Sequence, residues 1–532
     1  MSPVHAFELV LILLAFAVGL AVLARRLHIP TAVVFVLGGM VLAVTPGLPE
    51  IRLDPDLTMV LFLPPLLMAS AYFTSWQAFR TNLRPILLLA VGAVAFTTAT
   101  VAVVVHTLIP SLPWAACFAL GAIVSPPDAV AAASILERLR MPRRIVTILS
   151  GESLVNDASG LVFYRFAVAA AMTGAFDPMM ASAAFLAVSI GGVVVGILAG
   201  LLLVWLIQRL HDTHMETAAS FLAAWGSYIA AEQLGVSGVL ATVACGVWLG
   251  FRRHEVLSAR TRLDAATTWS FVVFVMDALV FILIGLSLHG VLGRIGPGQA
   301  AELWPAALAV LATVIIGRFV WVFPAAHLSR LPSVRPPSLR TRDPAPPPAV
   351  LTVISWAGMR GVVSLAAALA LPAAFPGRDT IIVLTFAVIL GTVLVQGVTL
   401  GPLIQALGLS KPPATGEHPT TTARAAAEAA ALAAIELRAA DPLDGAMAQD
   451  LLAEYRDRAG THHPHAAATA AANRVARQAR LALRLHANHA ARSHIVALAH
   501  DGALSEEELV AVVEELDLED LRLRRQLGAV HH

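Results

Sequence analysis

Between residues 6 and 406 the chain alternates long apolar stretches with short polar connections, and charges are pushed to the ends of the stretches. A helix needs roughly 20 apolar residues to cross the hydrocarbon layer of a bilayer. Thirteen stretches fit, near 6–24, 30–46, 57–74, 85–109, 114–136, 145–172, 181–208, 216–233, 237–251, 268–290, 303–328, 349–371 and 380–406. The first contains Glu8 and has neither a basic segment before it nor a small-residue cleavage site, so an uncleaved helix is expected. Beyond residue 407 the pattern changes to alanine-rich, arginine- and glutamate-bearing segments such as 423–440 and 473–499. Residues 504–527 place Leu509, Val512, Val513 and Leu516 at helical spacing after a capping Ser505. The expected organisation is a transmembrane domain over 1–407, a linker over 408–422 opened by Pro412 and Pro413, and a helical cytoplasmic domain over 423–532. A regulatory or partner-binding tail and a solvated appendage fit that last domain equally.

Composition removes several function classes. Of 532 residues 58% are hydrophobic and 13% charged, against about 25% charged in soluble domains, and the mean hydropathy is +0.77. Thirty-six basic against 35 acidic residues leave no excess for nucleic acid. Cys117 and Cys245 both lie in apolar runs and read as packing residues, not as a disulfide or metal framework. Arginines are unevenly shared: seventeen fall in alternate connections, among them Arg25, Arg26, Arg138, Arg140, Arg143, Arg144, Arg252 and Arg253, and only Arg52, Arg294 and Arg378 in the others. Basic residues in short loops stay on the cytoplasmic side, which places the N terminus outside and the C terminus in the cytoplasm.

Two stretches break the apolar rule in their middles. The fifth is interrupted by Ser125, Pro126, Pro127 and Asp128, and the twelfth by Gly358, Met359, Arg360 and Gly361. Adjacent prolines remove two N–H donors and clash with the preceding turn. Paired breaks in two halves of a membrane chain point to a transporter site built from discontinuous helices. Where such breaks cross, Asp128 can balance free N–H ends and Arg360 free carbonyl ends.

The sixth stretch carries the densest polar cluster, Gly151 to Gly160. Ser153, Asn156 and Asp157 stand at i, i+3 and i+4 on one face, with Glu152 at its shoulder. These are oxygen donors, suited to hard cations such as sodium, with no histidine or cysteine to favour zinc or copper. Two carboxylates this close cannot both stay charged and unpaired in a membrane, so Glu152 is expected to pair with Arg360, leaving Asp157 to bind a proton or a metal cation.

At these residues the chain resembles the monovalent cation:proton antiporter-1 family, the NhaP-like sodium/proton exchangers. Glu152 to Asp157 match a G-E-S-x-x-N-D signature, Ser125 to Asp128 a broken-helix segment, and Gly358 to Gly361 a G-x-R-G string; 63–66, 237–240 and 280–286 are also similar. The resemblance implies an all-α polytopic membrane protein with about thirteen transmembrane helices in two inverted repeats, discontinuous crossing helices, a dimerisation domain and a mobile core. It implies exchange of Na+, or Li+ or K+, for H+ in an electroneutral one-to-one ratio, because the pair at the ion site is Asn156-Asp157 and not two aspartates. It further implies transported cation on Asp157 and Ser153, assistance from Asn156, Asp128 and Ser125, a Glu152–Arg360 ion pair, no cofactor, a homodimer, and location in the plasma membrane.

Three departures qualify the match. Pro127 stands where a threonine is common, so Ser125, a main-chain carbonyl or water must supply that ligand. Ala129 stands where many members have proline, and Asp277 where asparagine is expected; a hydrogen-bonded or water-reached Asp277 is the expectation. Arg165 and Arg318 are intramembrane cations without a partner assignable from sequence. Gly235-Val236-Ser237-Gly238 matches the short G-x-S-G string of intramembrane serine proteases, although a helix-capping serine explains it more simply. A cation channel is a further alternative, but no repeated filter residues occur.

Overall fold

The computed structural model describes residues 3–27, 29–45, 55–128, 132, 135–136, 139, 141–174, 178–293, 297–328 and 346–409, and short stretches between 432 and 527. The chain divides into two compact units, Met1–Ser410 and Lys411–His532. The expected positions of Arg52, Arg138, Arg140, Arg294, Ala129, most of the linker and Ser505 lie outside the described residues.

Apart from the short helix Trp76–Thr81, the described helices of the first unit are α1 (Pro3–Leu27), α2 (Thr31–Ala43), α3 (Pro55–Phe73), α4 (Leu83–Leu108), α5 (Trp114–Val124), α6 (Arg143–Thr173), α7 (Pro178–Leu210), α8 (Thr213–Gln233), α9 (Gly238–Val256), α10 (Ala259–Leu292), α11 (Pro297–Leu328), α12 (Pro348–Trp356), α13 (Val362–Leu369) and α14 (Arg378–Ala406). Each of the thirteen predicted stretches falls on one of these, wholly or in part. The twelfth is split into α12 and α13, and the fifth is helical only up to Val124 before its break. Among the described residues, six helices are long and apolar enough to cross a membrane, with windows in α1, α4, α7, α10, α11 and α14. Sequence patterning gave no sign that α4 and α14 each contain a turn of π-helix, at Leu88–Ala93 and Thr392–Gln396. Among the described residues there is no strand.

Close backbone approach fixes the helix pairs. A Cβ on Gly39 would strike the Ile282 carbonyl, and one on Gly285 the Val36 carbonyl, so α2 and α10 touch through their main chains. Gly196 stands in the same way against Ala241, and Gly250 against Tyr72, drawing α7 and α3 onto α9. Small residues serve this role where lipid supplies no hydrophobic drive between helices.

Two apolar clusters result. One joins residues of α3, α7, α8, α9 and α10 around Trp269, which stacks on Phe221 at 4.2 Å between centroids and donates its indole N–H to the Ser220 hydroxyl at 3.2 Å. The other, larger cluster surrounds the two helix breaks and contains Ala122, Val124, Leu154, Ala158, Met359 and Leu365. The protease-like serine is accounted for here: the Ser237 hydroxyl caps α9, accepting from the Leu240 N–H at 3.3 Å.

Candidate functional site

The crossing of the two breaks is built from groups that a regular helix would have satisfied internally. Helix α5 ends at Val124 because Pro126 and Pro127 have no N–H to continue it. The Ala122 carbonyl would accept from residue 126 in a helix; instead the Ser125 hydroxyl donates to it at 3.3 Å. That hydroxyl also lies 3.1 Å from the hydroxyl of Thr98 on α4. The next orphan carbonyls go to Arg360. Its Nε donates to Val124 O at 2.7 Å and its Nη2 to Ser125 O at 3.2 Å, while Nη1 reaches the carbonyl of Gly358. A guanidinium at a helix C-terminal end offsets both the missing hydrogen bonds and the negative end of the dipole.

The chains of the two breaks are also tied directly, since the Asp128 N–H donates to Met359 O at 2.7 Å. The Arg360 N–H donates to the Thr392 hydroxyl at 3.1 Å, in the π-turn of α14. Gly361 caps α13, and a Cβ there would collide with the Asp128 carboxylate. Asp128 therefore stands at the N-terminal end of α13, where a negative charge is favoured. Gly160 of α6 is held just as close to the ring of Pro126. Only glycine fits either contact.

Helix α6 passes this crossing with its polar face divided. Asn156 is fully enclosed; its Nδ2 donates to Pro127 O at 2.6 Å, and its Oδ1 has no partner among the described residues. Ser153 and Asp157, one turn apart, face a cavity instead. Asp128, Asp277, Ser70, Ser364 and Gly361 line the same cavity, with apolar walls from Leu63, Leu66, Leu67, Val280 and Phe281. Space open to the centres of water molecules is about 50 Å³. With roughly 10–15 Å³ needed per water, a few waters or a partly hydrated alkali ion fit. Three carboxylates and, among the described residues, no basic side chain make up its charged lining.

The expected Glu152–Arg360 pair is not what the structure contains. Both oxygens of Glu152 are taken by Arg318 of α11, at 2.6 and 2.7 Å, in a fork-to-fork pair with each residue no more than 3% exposed. The Nε of Arg318 donates to Ile354 O at 3.1 Å. Arg360 feels Glu152 only through space. The reason is geometric: both arginines pack against Gly358, but Arg360 is consumed by the carbonyls at the end of α5, which leaves Arg318 of α11 to take Glu152. Two further expectations change. Ser125 is directed at Ala122 and Thr98 and does not line the cavity, and Asn156 holds the break through Pro127 in place of facing the cavity. Arg165 also finds a partner, Glu232 at 2.8 Å.

With the geometry described, similarity to known proteins becomes informative. The family description "Sodium/hydrogen exchanger, transmembrane" matches residues 12–406. A sodium, potassium, lithium and rubidium/H+ antiporter of Bacillus pumilus is 35% identical over 419 residues, covering 75% of this chain and 61% of that protein. The chain thus spans about three fifths of that relative's length. The low-affinity Na+/H+ antiporter NhaS1 of Synechocystis is 32% identical over 420 residues, 77% of this chain and 76% of that one. Among solved structures, the sodium proton antiporter MjNhaP1 of Methanocaldococcus jannaschii superposes with a TM-score of 0.60 over 77% of this chain and 100% of its own, at 18% identity, a likeness of fold.

Proposed function

Given that this chain belongs to the sodium/hydrogen exchanger family, we propose that it is a secondary antiporter exchanging Na+ for H+, with Asp157 as the residue that carries one or the other. The observation that carries the reading is the position of Asp157. It sits in the middle of α6 on a small cavity beside the crossed helix breaks, next to the Ser153 hydroxyl, and makes no hydrogen bond or ion pair with another described residue. A carboxylate so placed needs a cation, and the only cations that can come and go are those in solution.

Exchange then follows from one constraint. A bare negative charge crossing the hydrophobic barrier is costly, so the core moves only when Asp157 holds a proton or a metal cation. One site that holds one monovalent ion at a time gives electroneutral one-to-one exchange. Ser153 supplies a neutral oxygen to the ion, and Asn156 and Arg360 hold the break that shapes the cavity. The Glu152–Arg318 pair locks α6 to α11 and takes no part in ion binding.

Potassium is the second reading. The lining offers only oxygen donors, and the Bacillus relative's name includes potassium alongside sodium, so selectivity rests on spacing within the cavity. The setting is a plasma membrane, N terminus outside, with a homodimer as the working assembly. The apolar row Leu186, Ile190, Val194, Leu198 and Leu202 along exposed α7 suits lipid or a second copy. Inverted vesicles with an acid interior test the function. Added Na+ releases protons through the wild type and not through Asp157→Asn; a fully active Asp157→Asn rejects the assignment, and running K+ in parallel separates the two cations.

A further inference from the structure

Asp277 is the only ionisable residue between Asp264 and His289 in the sequence of α10. Its helix is long and apolar enough to cross a membrane, so a carboxylate near its centre needs a reason. No hydrogen bond or ion pair links Asp277 to another described residue, and the two arginines buried among the described residues are committed elsewhere, Arg318 to Glu152 and Arg360 to the α5 carbonyls. What Asp277 does share is the cavity of Asp157 and Ser153, which it lines together with Val280 and Phe281. Asp128 is close enough to act electrostatically on both Asp157 and Asp277, which places the three carboxylates around one small space. An oxygen-lined space of about 50 Å³ without a basic side chain among its described lining suits a cation with few waters.

We propose that Asp277 is a second ligand of the transported cation, presented by α10, and that in this arrangement the ion is held between Asp157 and Asp277. The proposal rests on Asp157 being the ion carrier and adds a fixed partner to it. The two residues sit on helices that are tied differently. Asp157 is on α6, which meets the α5 break through Gly160 and Pro126; α10 meets α2 main chain to main chain at Gly39 and Gly285, and its Ala265 and Trp269 join the cluster with α3, α7, α8 and α9, while Ala278, Val280 and Phe281 beside Asp277 pack against the cluster around the breaks. When the core carries Asp157 to the other side, Asp277 stays behind. Its charge is not transported, so the exchange ratio remains one to one. Affinity, however, becomes unequal on the two faces: the ion has two carboxylates where Asp277 is within reach and one where it is not.

The test measures cation KM and maximal rate from both sides, in right-side-out and inverted vesicles, for Asp277→Asn and Asp277→Glu. Loss of one charged ligand raises KM about tenfold or more on a single face, with the maximal rate and the KM of the opposite face near wild type. Asp277→Glu keeps the charge, so it recovers most of the affinity, with altered preference among Li+, Na+ and K+. Should Asp277→Asn fold poorly, thermal stabilisation of purified Asp277→Glu by Li+, Na+ and K+ in turn supplies the reading, and the proposal expects their order to differ from that of the wild type; an unchanged order overturns it. Unchanged KM on both faces, an equal rise on both, or a fall in rate alone that Asp277→Glu does not restore would overturn the proposal. Asp157→Asn is measured alongside. If that variant still exchanges ions the parent reading fails; if it is inactive and Asp277→Asn is normal, only the role of Asp277 fails.

Discussion

Replacing Arg318 by methionine leaves the Glu152 carboxylate buried, 1% exposed, and without the two donors at 2.6 and 2.7 Å that hold it. Breaking a buried pair from one side costs about 3–5 kcal/mol, because the remaining charge has lost water and partner together. Ile354 O loses the Arg318 Nε donor as well, adding roughly 1 kcal/mol. The double variant Glu152→Gln with Arg318→Met removes both charges and regains most of that loss. A double-mutant cycle on reversible unfolding in mixed micelles, followed by tryptophan fluorescence, therefore gives a coupling energy of about 3 kcal/mol for Glu152 with Arg318. The same cycle for Glu152 with Arg360 gives less than about 1 kcal/mol, since Arg360 is bonded to Val124, Ser125 and Gly358 and not to Glu152. Equal couplings, or a larger one for Arg360, would refute the assignment of Glu152 to α11.

Other substitutions probe the crossing itself. Gly361→Ala drives a methyl into the Asp128 carboxylate and is expected to abolish exchange while the protein still reaches the membrane, checked by vesicle assay and surface yield. Thr392→Val leaves the buried Arg360 N–H without its acceptor, lowering stability by about 1–3 kcal/mol in the same unfolding assay. In the second unit, hydrogen bonding from Arg524 and then His489 holds the Asp520 carboxyl below its ordinary value. A depressed carboxyl contributes its stability above its unfolded pKa and loses it as pH falls through the folded one. Protection factors of the amides in 515–524, the observed exchange rates divided into the intrinsic rates at each pH, are thus expected to fall below about pH 4, and Asp520→Asn is expected to remove that dependence.

How much of this was readable from sequence differs by feature. The helices were legible because apolar runs of bilayer length have few other uses, and the breaks because Pro126-Pro127 and Gly358 to Gly361 interrupt such runs. Helical spacing put Ser153 and Asp157 on one face, but it could not show that Asn156, about 100° round the helix from Asp157, would meet Pro127. Choosing between Arg318 and Arg360 for Glu152 was beyond reach, because it depends on which of two guanidiniums packed against Gly358 is already taken by main-chain carbonyls. Charge counting finds a needed cation without saying where it stands. Ser125 followed the same logic: its type suggested a ligand, while the missing Pro126 N–H gave it a different task at Ala122. A closer reading of that proline could have found it.

The most direct measurement is proton release on cation binding by the purified protein in weak buffer near neutral pH. Addition of Na+ to the wild type is expected to free protons in proportion to the sodium bound, and to free none from Asp157→Asn. Sodium bound by the wild type with no proton released, at an affinity that ignores pH, would contradict the account.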